Sequence, residues 1–227
     1  MDILGVIPAR KGSKRFKNKT TAILAGKKLI EYSFEAANGS KMLKKVVLST
    51  NDEKLFQLAK KHGIEIIERP DELCFPEVPS ALSIIHALKV LGDRGEKYDA
   101  VMLLQPTSPL RTSHDIDDSI MLFEKNPNAT SLFSVCEYSE PPHWALDMKN
   151  GFVTPHFGRK FFVNSEKLPK VYRPNGAIGI SKVEDFIKNQ SFFTKKTLGF
   201  VMGQKKSIDI DYEYDLKLAE FILGDPK

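Results

Sequence analysis

Ile3-Leu4-Gly5-Val6-Ile7-Pro8 runs directly into Ala9-Arg10-Lys11-Gly12-Ser13-Lys14-Arg15, and this junction decides the fold class. A short apolar run rich in β-branched residues reads as a strand buried on both faces. The turn after it is basic and contains a glycine. Such a turn lets backbone N–H groups approach phosphate oxygens. Arginine and lysine add charge-assisted hydrogen bonds to the same oxygens. The spacing is neither that of a Walker A loop nor that of a Gly-x-Gly-x-x-Gly dinucleotide turn. By charge alone the segment also reads as a solvated basic loop. Its place directly after a first strand favours phosphate.

Outward from this junction, short apolar runs alternate with helical patterns. Lys45–Ser49, Ile64–Ile67, Ala100–Leu104, Ser131–Val135, Ala177–Ile180 and Leu198–Met202 read as strands. Leu29–Ala37, Asp52–His62, Ser80–Leu91, Asp115–Lys125 and Asp211–Leu223 read as helices. The alternation predicts an α/β fold with parallel strands and crossover helices. Ligands of such sheets bind at the carboxyl ends of the strands. The pattern loosens between Glu137 and Pro174, a stretch rich in prolines and aromatics. A structureless loop of that length is unusual inside a compact domain. It reads as an inserted arm, 137–174, of a single domain spanning 1–227.

The chain has 227 residues, 41% hydrophobic and 28% charged, with a net charge of +5. No run approaches the roughly 20 apolar residues of a membrane span, and no signal peptide is evident. Cys74 and Cys136 are the only cysteines. They form no paired metal spacing and suggest no disulfide framework. These features predict a cytoplasmic protein without membrane partners. The modest positive balance suits small anions or nucleic acid.

Two more motifs follow strands. Gln105-Pro106-Thr107-Ser108-Pro109-Leu110-Arg111 sets hydrogen-bonding groups in a turn stiffened by proline. Arg111 suits an anion, or a carboxylate such as Asp115. Ser207-Ile208-Asp209-Ile210-Asp211, if extended, puts both aspartates on one face. Two hard oxygen ligands there suit Mg²⁺, although Asp211 alone also reads as a helix cap.

In this order, the motifs resemble those of the acylneuraminate cytidylyltransferases, also called CMP-sialic acid synthetases. The resemblance rests on Ile7–Arg15 with Lys19, on Gln105–Arg111 entire, on Arg173-Pro174-Asn175-Gly176-Ala177-Ile178, and on Ser207–Asp211. It extends from about Ile3 to Leu223. It implies a Rossmann-like, mostly parallel sheet flanked by helices, a homodimer built with the 137–174 arm, and Mg²⁺ (or Mn²⁺) as cofactor. The implied reaction transfers CMP from CTP to a sialic-acid-like nonulosonic acid.

Residue by residue, the resemblance places Ala9, Arg10, Gly12, Ser13, Lys19, Arg69, Ser80 and Gln105 at CTP. Arg10, Lys19 and Asp211 carry the catalytic roles, and Asp209 and Asp211 the metal. Gln105, His143, Arg173, Asn175, Phe192 and Phe193 fall on the sugar side. From sequence alone Ser80 also fits a helix N-cap, and Phe192-Phe193 fits core packing. The sugar side departs from the family pattern. An arginine is replaced by Ser165, a tyrosine by Gly179 and a lysine by His143, beside Trp144. Gly179 is expected to open space, a nearby cation such as Lys160 or Lys167, or else backbone N–H groups, to hold the sugar carboxylate, and the sugar to be less polar than N-acetylneuraminic acid. The rivals are a cytidylyltransferase for an eight-carbon keto sugar acid, another sugar nucleotidyltransferase, and a nucleic-acid-binding module. Acidic residues spread evenly along the chain argue against the last.

Overall fold

The computed structural model describes residues 1–12 and 16–224. β1 (Ile3–Ala9) is followed by a miniature hairpin, β2 (Ile23–Leu24) and β3 (Lys27–Lys28), and by α1 (Leu29–Asn38). β4 (Lys45–Thr50), α2 (Phe56–Lys61), β5 (Glu65–Glu68), α3 (Ser80–Asp93), β6 (Ala100–Leu104), α4 (Ser113–Glu124) and β7 (Ser131–Glu137) continue the alternation. The hairpin β8 (Leu146–Lys149) and β9 (Phe152–Pro155) comes next. The chain returns through β10 (Tyr172–Lys182) and α5 (Val183–Asn189), then ends in β11 (Thr197–Val201) and α6 (Glu213–Gly224).

Seven strands share one sheet in the order β11-β7-β10-β6-β1-β4-β5. Only β10 runs against its neighbours, and every other pair is parallel. The ends of β1, β4, β6, β7 and β11 therefore line one edge. Because β10 is reversed, its beginning lies at that same edge. Ile178 faces Leu104, and Tyr172 faces Glu137.

Strand periodicity sorts the core. Ile3 and Ile7 of β1 join Met102 and Leu104 of β6 in a cluster with α1 and α4. Leu4 and Val6 join Val101 and Leu103 in a cluster with α3 and α5. Alternate side chains of a strand point to opposite faces, so both faces of the sheet are covered. A third cluster lies off the sheet: Leu24, Leu29, Leu110, Ile210 and Ala219.

Four features differ from the sequence reading. Both ends of the 137–174 arm belong to the sheet, since Glu137 closes β7 and Tyr172 opens β10 opposite it. Ser207–Asp211 is not a strand. It leaves a 3-10 turn, Lys205–Ser207, as an irregular segment. α5 follows β10 without a break, and its only buried residue is Phe186, so it lacks a helical apolar stripe. The β2–β3 hairpin turns on Ala25 and Gly26, both at positive φ.

Candidate active site

The first motif leaves β1 at the carboxyl edge of the parallel strands. Ala9 is buried opposite Thr50 of β4. Arg10 donates from a guanidinium nitrogen to the Cys74 carbonyl at 3.1 Å. Gly12 holds φ +79, which favours glycine. Ser13 lies outside the described residues. Arg69, at the end of β5, is buried and donates to the Ser49 hydroxyl at 3.2 Å and the Ser49 carbonyl at 2.7 Å. Burial lowers its pKa from the usual value. Among the described residues neither Arg10 nor Arg69 is paired with a carboxylate, so two guanidinium charges are left for an anion.

Lys19 opens a 3-10 turn after Asn18, which adopts the left-handed conformation. Its ammonium donates to Asp211 Oδ1 at 2.8 Å, with only 11% of the side chain exposed. The first and last motifs thus meet in space. Ile210, between the two aspartates, is buried in the third cluster with Leu24 and Leu110. Its N–H donates to the Thr107 carbonyl at 2.8 Å. The aspartate segment is therefore pinned to the Gln105–Arg111 loop through an apolar anchor and a backbone bond. Asp215 reaches back to the amides of Asp211 (2.9 Å) and Tyr212 (2.7 Å). It supplies the helix cap that Asp211 was a candidate to provide.

Asp209 is exposed at a cavity of about 450 Å³ lined also by Arg173, Gln204, Ser207, Asp215 and Leu218. Surrounding protein still removes enough water to push its carboxyl above the usual value. The nearby Thr107 hydroxyl opposes this, and the Asp211 charge adds to it. Two carboxylates that repel one another suit a divalent cation. No three His, Cys, Asp or Glu side chains form a metal cage among the described residues. A cation held here would take the rest of its shell from phosphate and water, as Mg²⁺ commonly does.

Gln105 follows β6. Its side-chain oxygen accepts from the Thr107 hydroxyl at 3.3 Å. Its carbonyl accepts from Arg111 at 3.1 Å and Ser33 at 3.3 Å. Arg111 is fully buried and donates also to the Ala177 carbonyl (3.0 Å) and the Ser33 hydroxyl (2.8 Å). Burial brings its pKa down to about 10. The expected Asp115 partner is instead paired with Lys206 at 2.6 Å. Arg111 ties the loop to α1 and β10 and does not face a ligand.

The sugar-side residues divide. Arg173 lines the Asp209 cavity. Asn175 is buried and committed to Ser134 and Ser207, so its side chain does not reach a sugar. Phe192 is core, packed on Phe186 and Phe133, whereas Phe193 is 53% exposed. Gly179 opens no space. A Cβ there would sit 2.9 Å from Phe192 Cγ, because the Phe192 ring already fills the notch. His143 packs in the arm, 5.1 Å from the Phe161 ring and 6.2 Å from Phe157. Lys160 lies over Phe161. Ser80 is the first residue of α3, after Pro79, and is exposed, so it is not the cap. Thr107, Asp215, Ser134 and Ser207 contribute through contacts that no local pattern announces.

A family profile described as Cytidylyltransferase matches residues 4–197. This chain belongs to the cytidylyltransferase family. Membership makes it a nucleotidyltransferase by family. The cytidylyltransferase is 32% identical over 217 residues to an N-acylneuraminate cytidylyltransferase of Escherichia coli O18:K1:H7, covering 96% of this chain but 51% of that protein. It is 31% identical over 227 residues to a CMP-N,N'-diacetyllegionaminic acid synthase of Legionella pneumophila, covering 98% of this chain and 97% of the relative. The solved structure of a CMP:2-keto-3-deoxy-manno-octonic acid synthetase complexed with CTP matches the cytidylyltransferase with a TM-score of 0.70 at 16% identity, covering 98% of both chains. At that identity the likeness shows the fold. Among the described residues, no helix is long and apolar enough to cross a membrane.

Proposed function

We propose that this chain transfers CMP from CTP to the anomeric hydroxyl of a sialic-acid-like nonulosonic acid, releasing pyrophosphate. The observation that carries the reading is the Lys19–Asp211 contact at 2.8 Å, which joins the phosphate-type turn to the carboxylate segment at the ligand-binding edge. The sugar hydroxyl oxygen attacks the α-phosphorus and gives up its proton to solvent, the bond from the α-phosphorus to the bridging oxygen breaks, and pyrophosphate leaves with the electron pair. Such transfers depend on positioning and on neutralising phosphate charge. Arg10 and Lys19 hold the outer phosphates. Asp209 and Asp211 hold Mg²⁺ or Mn²⁺, which when bound with CTP supplies further charge neutralisation. Ser80 and the backbone near Arg69 face cytosine, and Gln105 lies between nucleotide and sugar.

Arg173 is the cation proposed for the sugar carboxylate. It lines the Asp209 cavity, and its guanidinium makes no hydrogen bond or ion pair among the described residues. Arginine's planar fork matches two carboxylate oxygens. Within the nonulosonic acids, the diamino relatives such as legionaminic or pseudaminic acid fit best. The Legionella relative aligns along nearly its whole length. Trp144, 36% exposed and bonded to the Val163 carbonyl, offers a flat apolar wall. The proposed active form is a cytoplasmic homodimer in which the arm and Phe193 meet a second copy.

Pyrophosphate release decides these points, measured with each of four NTPs against N-acetylneuraminic, legionaminic, pseudaminic and eight-carbon keto sugar acids. CTP with a nonulosonic acid is expected to turn over. Preference for another NTP or for the eight-carbon acid overturns the reading. Efficiency about tenfold higher with N-acetylneuraminic acid, or about 1.4 kcal/mol, overturns only the diamino preference.

A further inference from the structure

Between Pro174 and Gly179, over residues 175–178, β10 falls out of step with β7. Pro174 faces Val135, and the next registered pair is Gly179 with Phe133. A bulge of this kind strips backbone groups of their ladder partners. Two side chains replace them. The Ile178 N–H donates to the Ser134 hydroxyl at 2.8 Å, and that hydroxyl donates to Asn175 Oδ1 at 2.5 Å. The Ala177 N–H donates to the same oxygen at 3.2 Å, which fixes how the Asn175 amide is turned. Its Nδ2 therefore points the other way and donates to the Ser207 hydroxyl at 2.9 Å, and Ser207 donates onward to the Gly203 carbonyl at 2.8 Å. Ser134, Asn175 and Ser207 are all buried.

Ser207 opens the segment that carries Asp209 and Asp211. The same bulge presses Gly176, at φ +74, against Gln105. A Cβ on Gly176 would lie 3.2 Å from Gln105 Oε1. One irregularity in one strand thus meets both the Gln105 side chain and the root of the aspartate segment.

We propose that Asn175 is a positioning residue that holds the Asp209–Asp211 segment in place through Ser207, and is not a contact to the sugar. This rests on the reading above, in which those aspartates receive the metal that accompanies CTP. Partners that orient ligating carboxylates typically matter about 10–100-fold in metal affinity. A residue whose amide is spent inside the protein has no comparable route to sugar affinity.

The test removes the link from the far side, leaving the bulge intact. Mn²⁺ binding is followed by electron paramagnetic resonance at saturating CTP without sugar, in wild type, Ser207→Ala and Ser207→Thr. The apparent Mn²⁺ dissociation constant is expected to rise about tenfold or more in Ser207→Ala. Ser207→Thr, which keeps the hydroxyl, is expected to stay near wild type. Metal-free CTP binding and, at saturating Mn²⁺, the sugar KM should be unchanged in both. Unchanged Mn²⁺ affinity in Ser207→Ala overturns the proposal, as does a raised sugar KM in its place. Loss of metal-free CTP binding overturns it too, because the effect is then on the fold. If wild type itself binds no Mn²⁺ with CTP, it is the parent reading that fails.

Discussion

Lys19 and Asp211 are separated by 192 residues in sequence and by 2.8 Å in space. In the proposed reading Lys19, with Arg10 and Arg69, meets the phosphate charge of CTP at this edge of the sheet. Replacing Arg10 or Lys19 with alanine is expected to weaken CTP binding about tenfold to a hundredfold, since a charged hydrogen bond is worth about 1.5–3 kcal/mol. CMP, which lacks the outer phosphates, should lose much less in the same calorimetric titration. Equal losses would place the loop elsewhere. Asp209 allows a test of sign. Its carboxyl is raised in the folded protein above a starting value of 3.8, so the folded state prefers it protonated. Below that value the group is protonated in both states and costs nothing. As pH rises through the folded-state pKa, ionisation destabilises the protein. Asp209→Asn is therefore expected to melt at a higher temperature than wild type at neutral pH, with the gap closing below about pH 4, while metal-dependent turnover is lost. A variant that melts lower at neutral pH would show that the charge is already compensated. At this scale the aspartates and the basic turn are legible in the sequence. The inward turn of Asn175 is not, because its partners Ser134 and Ser207 lie far off in the chain and look like ordinary serines.

At the scale of elements, the strands of the sheet are legible because each is a short apolar run bounded by turn residues. β6, Ala-Val-Met-Leu-Leu, is the plainest case, buried throughout. α5 is hidden because seven residues with one buried aromatic carry no period. Gly179 shows how a substitution misleads without its neighbour. Losing a large side chain in β10 reads as added space, yet Phe192, thirteen places on, has moved in. That ring contributes about 1.5–3 kcal/mol by its burial, and it needs a bare backbone beneath it. Gly179→Ala should cost about 1–3 kcal/mol, the usual range for overpacking, read as a lower denaturant midpoint at unchanged slope. The nearest atoms are ring carbons held by Phe133 and Phe186, not the end of a flexible chain. A neutral outcome would mean that the aromatic layer shifts freely.

At the scale of the whole molecule, large apolar side chains are left exposed along the 137–174 arm. Met148, Phe152, Val153 and Phe162 stand out on the arm. The β8–β9 hairpin pairs only with itself among the described strands, and an isolated two-stranded hairpin is marginal in water. A second copy supplies the missing layer in the proposed homodimer. Sedimentation at micromolar concentration should show a dimer, and Met148→Glu with Phe152→Glu should return it to monomer. A stable wild-type monomer would leave the arm without its proposed purpose. The reversed strand has a consequence of another kind, for the order in which the chain can be completed on the ribosome. β1, β4, β5 and β6 are all made by residue 104, yet β6 has no neighbour on its far side until β10 emerges near residue 182. For that interval the nascent protein carries an apolar strand with an open row of amides and carbonyls, the kind of edge that recruits other chains. β10 is inserted between β6 and β7, both already synthesised, like a keystone, and only β11 joins the sheet after it. A chain stopped just before it should aggregate, although it already contains the basic segment after β1 and the Gln105 loop.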